Sequence, residues 1–170
     1  MTMPTTTEPR RHTFAPTPSP APRTLVDRVR DLQGPRSGGW ALVPLGGPLF
    51  DAVITAGGET GRRVIARMDE IERAGLGAQG PACGPVVEDP DRGWLIWLVP
   101  PGTSERWRPH GEVACLGRPH VLFLPPLTRT RPPGVFWRRR LHGDRLVSPA
   151  SLYDLFSLDR VPGEGRDAFR

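Results

Sequence analysis

The chain has 170 residues and a mass of 18.7 kDa, enough for one domain with a hydrophobic core plus terminal segments. Its 22 prolines and 20 glycines accompany only 37% hydrophobic residues, and two cysteines do not make the disulfide framework of a small secreted protein. No apolar run approaches the ~20 residues that cross a bilayer, and the N-terminus lacks a signal-peptide apolar region. We therefore expect a reduced, cytoplasmic protein without a membrane partner.

The formal charge is +5, and all 23 basic side chains other than histidine are arginine. The guanidinium group matches phosphate geometry, which favours a nucleic-acid partner. The chain lacks both lysine and asparagine, however, and their joint absence is typical of a GC-rich genome. Net charge by itself is therefore only weak support for DNA or RNA binding.

The two ends of the chain are predicted to lie outside the folded domain. Residues 1–23 are rich in threonine and proline without apolar periodicity, which predicts a disordered tail. A short helix over Thr24–Leu32, with Thr24 as its N-cap, and a glycine-rich break make up a linking segment at 24–39. Residues 159–170 return to glycine and charge, and we expect a flexible C-terminal tail.

The domain itself is predicted to span residues 40–158. Short apolar runs bounded by glycine and proline indicate strands, and one amphipathic stretch indicates the main helix. The predicted strands are Trp40–Leu45, Leu49–Ile54, Pro85–Val87, Trp94–Val99, Val113–Leu116, Val121–Leu124 and a hairpin arm at Val135–Arg139; the predicted helices are 60–74, Thr103–Trp107 and a closing helix around Leu152–Phe156, capped by Ser148 or Ser151.

Two of these runs, Trp94–Pro101 and Val121–Pro126, end in a double proline. Proline cannot donate to a sheet ladder, so each run reads as a strand that stops abruptly beside a loop. The order of elements, with several strands and few helices, predicts an α+β fold in which helices pack on one face of a mixed β-sheet.

The sequence contains no motif typical of a nucleophilic enzyme or of a zinc site. No serine lies in a Gly-x-Ser-x-Gly elbow, and neither cysteine has a catalytic motif around it. Zinc could in principle use Cys83, Cys115, His110 and His120, but their spacing is not that of a zinc site. We therefore predict no metal site from these residues.

A basic cluster follows the second double proline. Arginines that alternate with aromatic residues can track a nucleic-acid backbone while rings stack on bases. The alternative is a solvated hairpin arm, and the pattern favours neither. The candidate nucleic-acid-binding residues are Arg129, Arg131, Arg138, Arg139, Arg140 and Trp137.

Taken in order, three segments resemble the N-terminal domain of bifunctional DNA primase/polymerases of the archaeo-eukaryotic type, most closely the short, divergent actinobacterial forms. The segments are WALVPLGGPLFDAVI from Trp40, GPVVEDPDRGWLIWLVPPGT from Gly84, and EVACLGRPHVLFLPPL from Glu112. The resemblance covers about Trp40 to Phe156. It implies a primase-polymerase-like domain with an RRM-like core.

In that family, carboxylates hold two metal ions and a histidine contacts the incoming nucleotide. The resemblance implies that Asp51 is the relic of the first acidic motif, since its partner two residues on is Val53. The histidine position aligns with Leu95, and the late acid with Ala114. One carboxylate cannot clamp two metals, so this interpretation implies a degenerate catalytic site.

Three hypotheses follow for the function. The first is a degenerate, non-catalytic domain that binds nucleic acid or nucleotide and needs no cofactor. The second is an active DNA primase/polymerase that uses Asp51 with Glu112 or Asp91 and requires Mg²⁺ or Mn²⁺. The third is a protein-interaction scaffold with no nucleic-acid role, which predicts exposed apolar surface at Trp94, Trp97 or Trp107.

Overall fold

The computed structural model describes residues 22–35, 38–76 and 83–158. The predicted C-terminal tail, and all of the predicted N-terminal tail except residues 22 and 23, lie outside the described residues. The elements, in chain order, are α1 (Leu25–Leu32), β1 (Ala41–Pro44), β2 (Asp51–Ala56), α2 (Glu59–Ile71, continued by a π turn at Glu72–Leu76), β3 (Val86–Asp89), β4 (Trp94–Val99), β5 (Ala114–Leu116), β6 (Val121–Leu124), β7 (Phe136–Arg139) and α3 (Pro149–Leu158).

Five strands form one sheet in the order β5-β2-β4-β3-β7, and β1 pairs with β6 in a separate two-stranded ribbon. All of these pairs are antiparallel. The α+β class is therefore confirmed, whereas the expectation of a mixed sheet is wrong. The reason is that β2 and β3, which run parallel to each other across α2, have β4 inserted between them. This arrangement is a split β-α-β unit.

Successive side chains of the central strand β4 point to opposite faces of the sheet and contribute to two hydrophobic cores. Leu95, Trp97 and Val99 point toward α2 and α3, while Ile96 and Leu98 point toward α1 and the ribbon. The helices thus do not all pack on one face as expected. Helices α2 and α3 cover one face of the five-stranded sheet, and α1 together with the ribbon covers the other.

Helix α1 is part of the domain rather than of a linker. The predicted N-cap is confirmed, since the Thr24 hydroxyl accepts a hydrogen bond from the Asp27 amide in a capping box. Leu25 is buried in the ribbon-side core, and its backbone N–H donates to Asp144 Oδ1 at 2.6 Å. The domain therefore begins before Trp40, where the sequence interpretation started it.

Sequence and structure agree on the two strands that end in a double proline, and they differ at two other elements. No helix forms at Thr103–Trp107; the chain makes turns there, and Pro109 follows too closely for a helix to extend. Strand β7 is not a hairpin arm, because it pairs with β3 as an edge strand of the five-stranded sheet. In the described part of the chain, no helix is long and apolar enough to cross a membrane.

Candidate nucleic-acid interface

Asp51 opens strand β2 and is fully buried. Its Oδ1 accepts a hydrogen bond from the backbone N–H of Gly46, and its Oδ2 accepts one from the backbone N–H of Ser104, each at 2.8 Å. The first amide lies in the turn before β2, and the second in the turn after β4. The carboxylate therefore links two loops at one end of the sheet, and it is not presented to solvent.

The positions aligned with the primase-polymerase motifs do not share a cleft. Leu95 pairs with Thr55, four residues along β2 from Asp51, which is about 13 Å at ~3.3 Å per residue. Ala114 pairs with Ile54. Paired residues point to the same face, and Ile54 packs in the ribbon-side core, so Ala114 points away from the helix side where Leu95 is buried.

The other carboxylates considered for metal binding are also distant from Asp51. Asp91 lies in the turn that joins β3 to β4, and Glu112 precedes β5; the strand registers put both near the Ala56 end of β2. This end is about 16 Å from Asp51 by the strand rise, whereas two catalytic metals lie ~4 Å apart. Among the described residues, no three His, Cys, Asp or Glu side chains are grouped to hold a metal ion.

Two of the residues predicted to bind nucleic acid have structural roles instead. Trp137 is 1% exposed, and its Nε1 donates to the Pro125 carbonyl at 3.1 Å, so it is not accessible for base stacking. Arg139 pairs with Asp69 and, at 2.5 Å, with Glu72, and its side chain is only 11% exposed. Both expectations are corrected: Trp137 packs in the ribbon-side core, and a register shift between β3 and β7 lets Arg139, two residues further on, face the end of α2 instead.

The remaining predicted arginines lie on two surfaces. Arg138 and Arg140 are exposed on and after β7, where they line a groove. Arg129 lies elsewhere: its Nη2 donates to the Pro133 carbonyl, and its guanidinium carbon is 5.5 Å from the centre of the Trp40 ring. Arg131 is exposed in the loop that follows Arg129.

The groove at β7 has a volume of about 490 Å³ and runs between the end of α2 and the chain that follows β7. Four arginines and two carboxylates line it, and Arg139 pairs with both of those carboxylates. No described carboxylate pairs with the other three arginines. A smaller groove of about 360 Å³ continues from it along α1 and shares two of its lining side chains, Arg140 and His142. We call the larger one the basic groove, and its basic side chains are Arg138, Arg139, Arg140, His142 and Arg145.

Arg145 and His142 were not singled out from the sequence, although a signal was present. No aspartate or glutamate occurs between Glu112 and Asp144, a stretch that contains His142 and most of the arginines named above, and Arg145 directly follows Asp144. The groove wall also carries Cys83, where burial raises the pKa of the thiol. This thiol is therefore neutral at physiological pH and adds no negative charge to the groove.

The ribbon has an outer face that the sequence interpretation also did not single out as a site. Its inner residues, such as Val43 and Leu124, are buried against the sheet, while its outer residues remain open to solvent. Trp40 stacks on Phe123 with their ring centres 4.6 Å apart and their planes within 5°. We call this surface the outer ribbon face, and it consists of Trp40, Leu42, Pro44, Val121 and Phe123.

The tryptophans expected to form a protein-interaction surface are distributed differently. Trp97 is fully buried in the helix-side core, so it cannot contact a partner. Trp107 is half-buried against Tyr153, and its indole N–H has no hydrogen-bond partner among the described residues. Trp94 is 43% exposed at the tip of the β3–β4 hairpin, with Arg92 over its ring.

No protein-family model matches this chain, and searches against curated proteins and against solved structures return no significant match.

Proposed function

We propose that this domain binds nucleic acid through the basic groove and has no catalytic activity. The observation that carries the proposal is the convergence of Arg138, Arg140 and Arg145 on one groove without a described carboxylate partner. Guanidinium groups not engaged by carboxylates are free to contact phosphate oxygens, and neutralising phosphates releases the counterions that drive such binding.

A polymer fits this groove better than a single nucleotide does. Among its described lining residues there is no phenylalanine, tyrosine or tryptophan ring on which one base could stack. The groove is open and continues along α1, which suits an extended phosphate backbone. The expected ligand is therefore DNA or RNA, bound mainly through its phosphates and without direct sequence readout.

The proposal of a degenerate primase-polymerase-like domain with an RRM-like core has mixed support. The split β-α-β unit formed by β2, α2, β3 and β4 favours it. Against it, Asp51, Leu95 and Ala114 lie too far apart, or on opposite faces, to be remnants of one pocket. The nucleic-acid-binding proposal does not depend on that ancestry.

Two other functions make distinct predictions. An active polymerase would extend a primer with Mg²⁺ or Mn²⁺, and Asp51→Ala would abolish the extension; we expect none from the unmodified chain, because both Asp51 oxygens accept bonds from the fold. A protein-interaction scaffold is favoured by the exposed outer ribbon face. It would bind a protein partner with an affinity that is indifferent to loss of the groove arginines.

The test compares two variants of equal charge. One replaces Arg138, Arg140 and Arg145 with glutamine; the control replaces three arginines outside the groove, Arg62, Arg106 and Arg108, with glutamine. Each variant lowers the formal charge from +5 to +2, since three positive charges are removed. Affinity is measured by fluorescence anisotropy with a labelled 20-nucleotide strand in low salt.

We expect the groove variant to bind about tenfold or more weakly than the control variant, because phosphate contacts dominate affinity. Equal binding by both variants would mean that net charge, not the groove, attracts the ligand. No binding by the unmodified chain at low salt would overturn the proposed function itself.

A further inference from the structure

The outer ribbon face is an apolar surface that the described part of the chain leaves uncovered. Leu42 is 64% exposed, and Phe123, which pairs with it across the ribbon, is 51% exposed. Val121, two residues from Phe123 on the same face, is 51% exposed. Soluble proteins rarely expose large contiguous apolar patches, so neighbouring exposed side chains of this size indicate an interaction surface.

The segments that form this face and flank it along the chain carry only positive charge. No aspartate or glutamate occurs in residues 32–50 or 113–143, the segments that contain the ribbon and its flanks. Arg129 contacts Trp40 at one end of the ribbon. Arg118 lies at the other end, where its Nε donates to the Gly46 carbonyl at 3.1 Å. Charge complementarity therefore favours a negatively charged partner over a neutral or positively charged one.

The aromatic geometry narrows the class of partner. The Trp40 and Phe123 rings are parallel, as stacked bases are, and the half-exposed Phe123 ring can extend that stack. Aromatic rings flanked by arginines are the arrangement with which proteins bind unpaired bases. Bases in a duplex are stacked on one another and cannot reach such a ring.

We propose that the outer ribbon face binds the bases of single-stranded nucleic acid by stacking on Phe123, which Trp40 supports from behind, with Arg118 and Arg129 near the adjoining phosphates. This inference rests on the proposed function and deepens it: the basic groove contacts phosphates of any strand, and the ribbon supplies a preference for unpaired bases.

The experiment compares three ligands of equal length: a 12-nucleotide oligothymidine, an abasic strand with the same phosphates, and a 12-base-pair duplex. The proteins are the unmodified chain, Phe123→Leu, and the control Trp94→Ala. Phe123→Leu keeps an apolar side chain but removes the ring, and the exposure of Phe123 makes the fold tolerant of it. Trp94 is a matched control, since it too is a half-exposed aromatic with an arginine over its ring.

We expect the unmodified chain to bind oligothymidine about 5- to 150-fold more tightly than the abasic strand, the range that stacking of one base supplies. Phe123→Leu should remove most of this difference and leave abasic and duplex binding unchanged. Trp94→Ala should behave like the unmodified chain on all three ligands.

Other outcomes would overturn the inference in recognisable ways. Equal affinity of the unmodified chain for the oligothymidine and the abasic strand would refute base stacking while leaving the proposed function intact. A Phe123-dependent dimer in sedimentation velocity would assign the face to a second copy of this chain. Phe123-dependent binding to phosphatidylserine vesicles, without a base preference, would assign it to a lipid surface. Absence of binding to every ligand would mean that the proposed function had failed first.

Discussion

Replacement of Asp51 by asparagine tests whether this carboxylate stabilises the fold or is only the relic of a catalytic site. The asparagine side chain has nearly the same shape, but it has one carbonyl oxygen in place of two acceptors. One of the two amides, Gly46 or Ser104, would then face an NH₂ group instead of an oxygen. That amide is left without its hydrogen bond in a buried environment.

The expected loss in the free energy of unfolding follows from these contacts. A hydrogen bond to a charged acceptor contributes about 1.5–3 kcal/mol, and an unsatisfied buried group costs about 1–3 kcal/mol. Because one bond is lost and the other weakened, we expect Asp51→Asn to lower the stability by about 2–4 kcal/mol. Total stabilities of domains are about 5–15 kcal/mol, so the change is easily measured.

Urea unfolding followed by tryptophan fluorescence measures this loss as a shift of the midpoint at constant slope. Asp154→Asn is the control, because Asp154 is exposed on α3 and its replacement should change stability by less than about 0.5 kcal/mol. A change for Asp51→Asn as small as that of the control would refute the structural role. Such a result would favour the interpretation that Asp51 is a relic that no longer stabilises the protein.

Two further predictions concern the thiols and the ion pair at β7. Burial raises the pKa of Cys115 to about 12, and the Asp51 carboxylate contributes to the increase. Alkylation of Cys115 by iodoacetamide, followed by peptide mass spectrometry, should therefore be about a thousandfold slower at pH 8 than that of a free thiol. The reaction should accelerate only as the pH nears 12. Rapid modification at pH 8 would contradict this environment. Arg139→Ala should lower the free energy of unfolding by about 1–3 kcal/mol, since it leaves Asp69 and Glu72 unpaired. The control Arg138→Ala should be nearly neutral. Equal effects of the two substitutions in urea unfolding would show that the pairing does not stabilise the fold.

Local patterns were sufficient to predict the strands and the N-cap of α1. Trp94–Val99 and Val121–Leu124 have the same bounds in sequence and structure, because each is a short apolar run terminated by proline. Thr24 caps α1 as predicted, since its hydroxyl and Asp27 satisfy each other's amides within one turn. These features depend only on neighbours along the chain.

The pairing of strands and the environment of single side chains depend on distant parts of the chain. The insertion of β4 between β2 and β3 could not be read from periodicity, and it is the reason that the sheet is antiparallel. Trp137 looks like a stacking residue in sequence, but it is buried where its strand pairs with β3. Arg145 joins the groove only because the chain after β7 turns back toward it.

The salt dependence of single-strand binding tests the central claim most directly. If the basic groove neutralises phosphates, the slope of log K against log salt concentration should fall in magnitude by about 0.7 for each contact removed. Replacing Arg138, Arg140 and Arg145 with glutamine should therefore reduce the slope by about 2. The control at Arg62, Arg106 and Arg108 should leave it unchanged. Identical slopes for the two variants would contradict the assignment of the groove as the nucleic-acid interface.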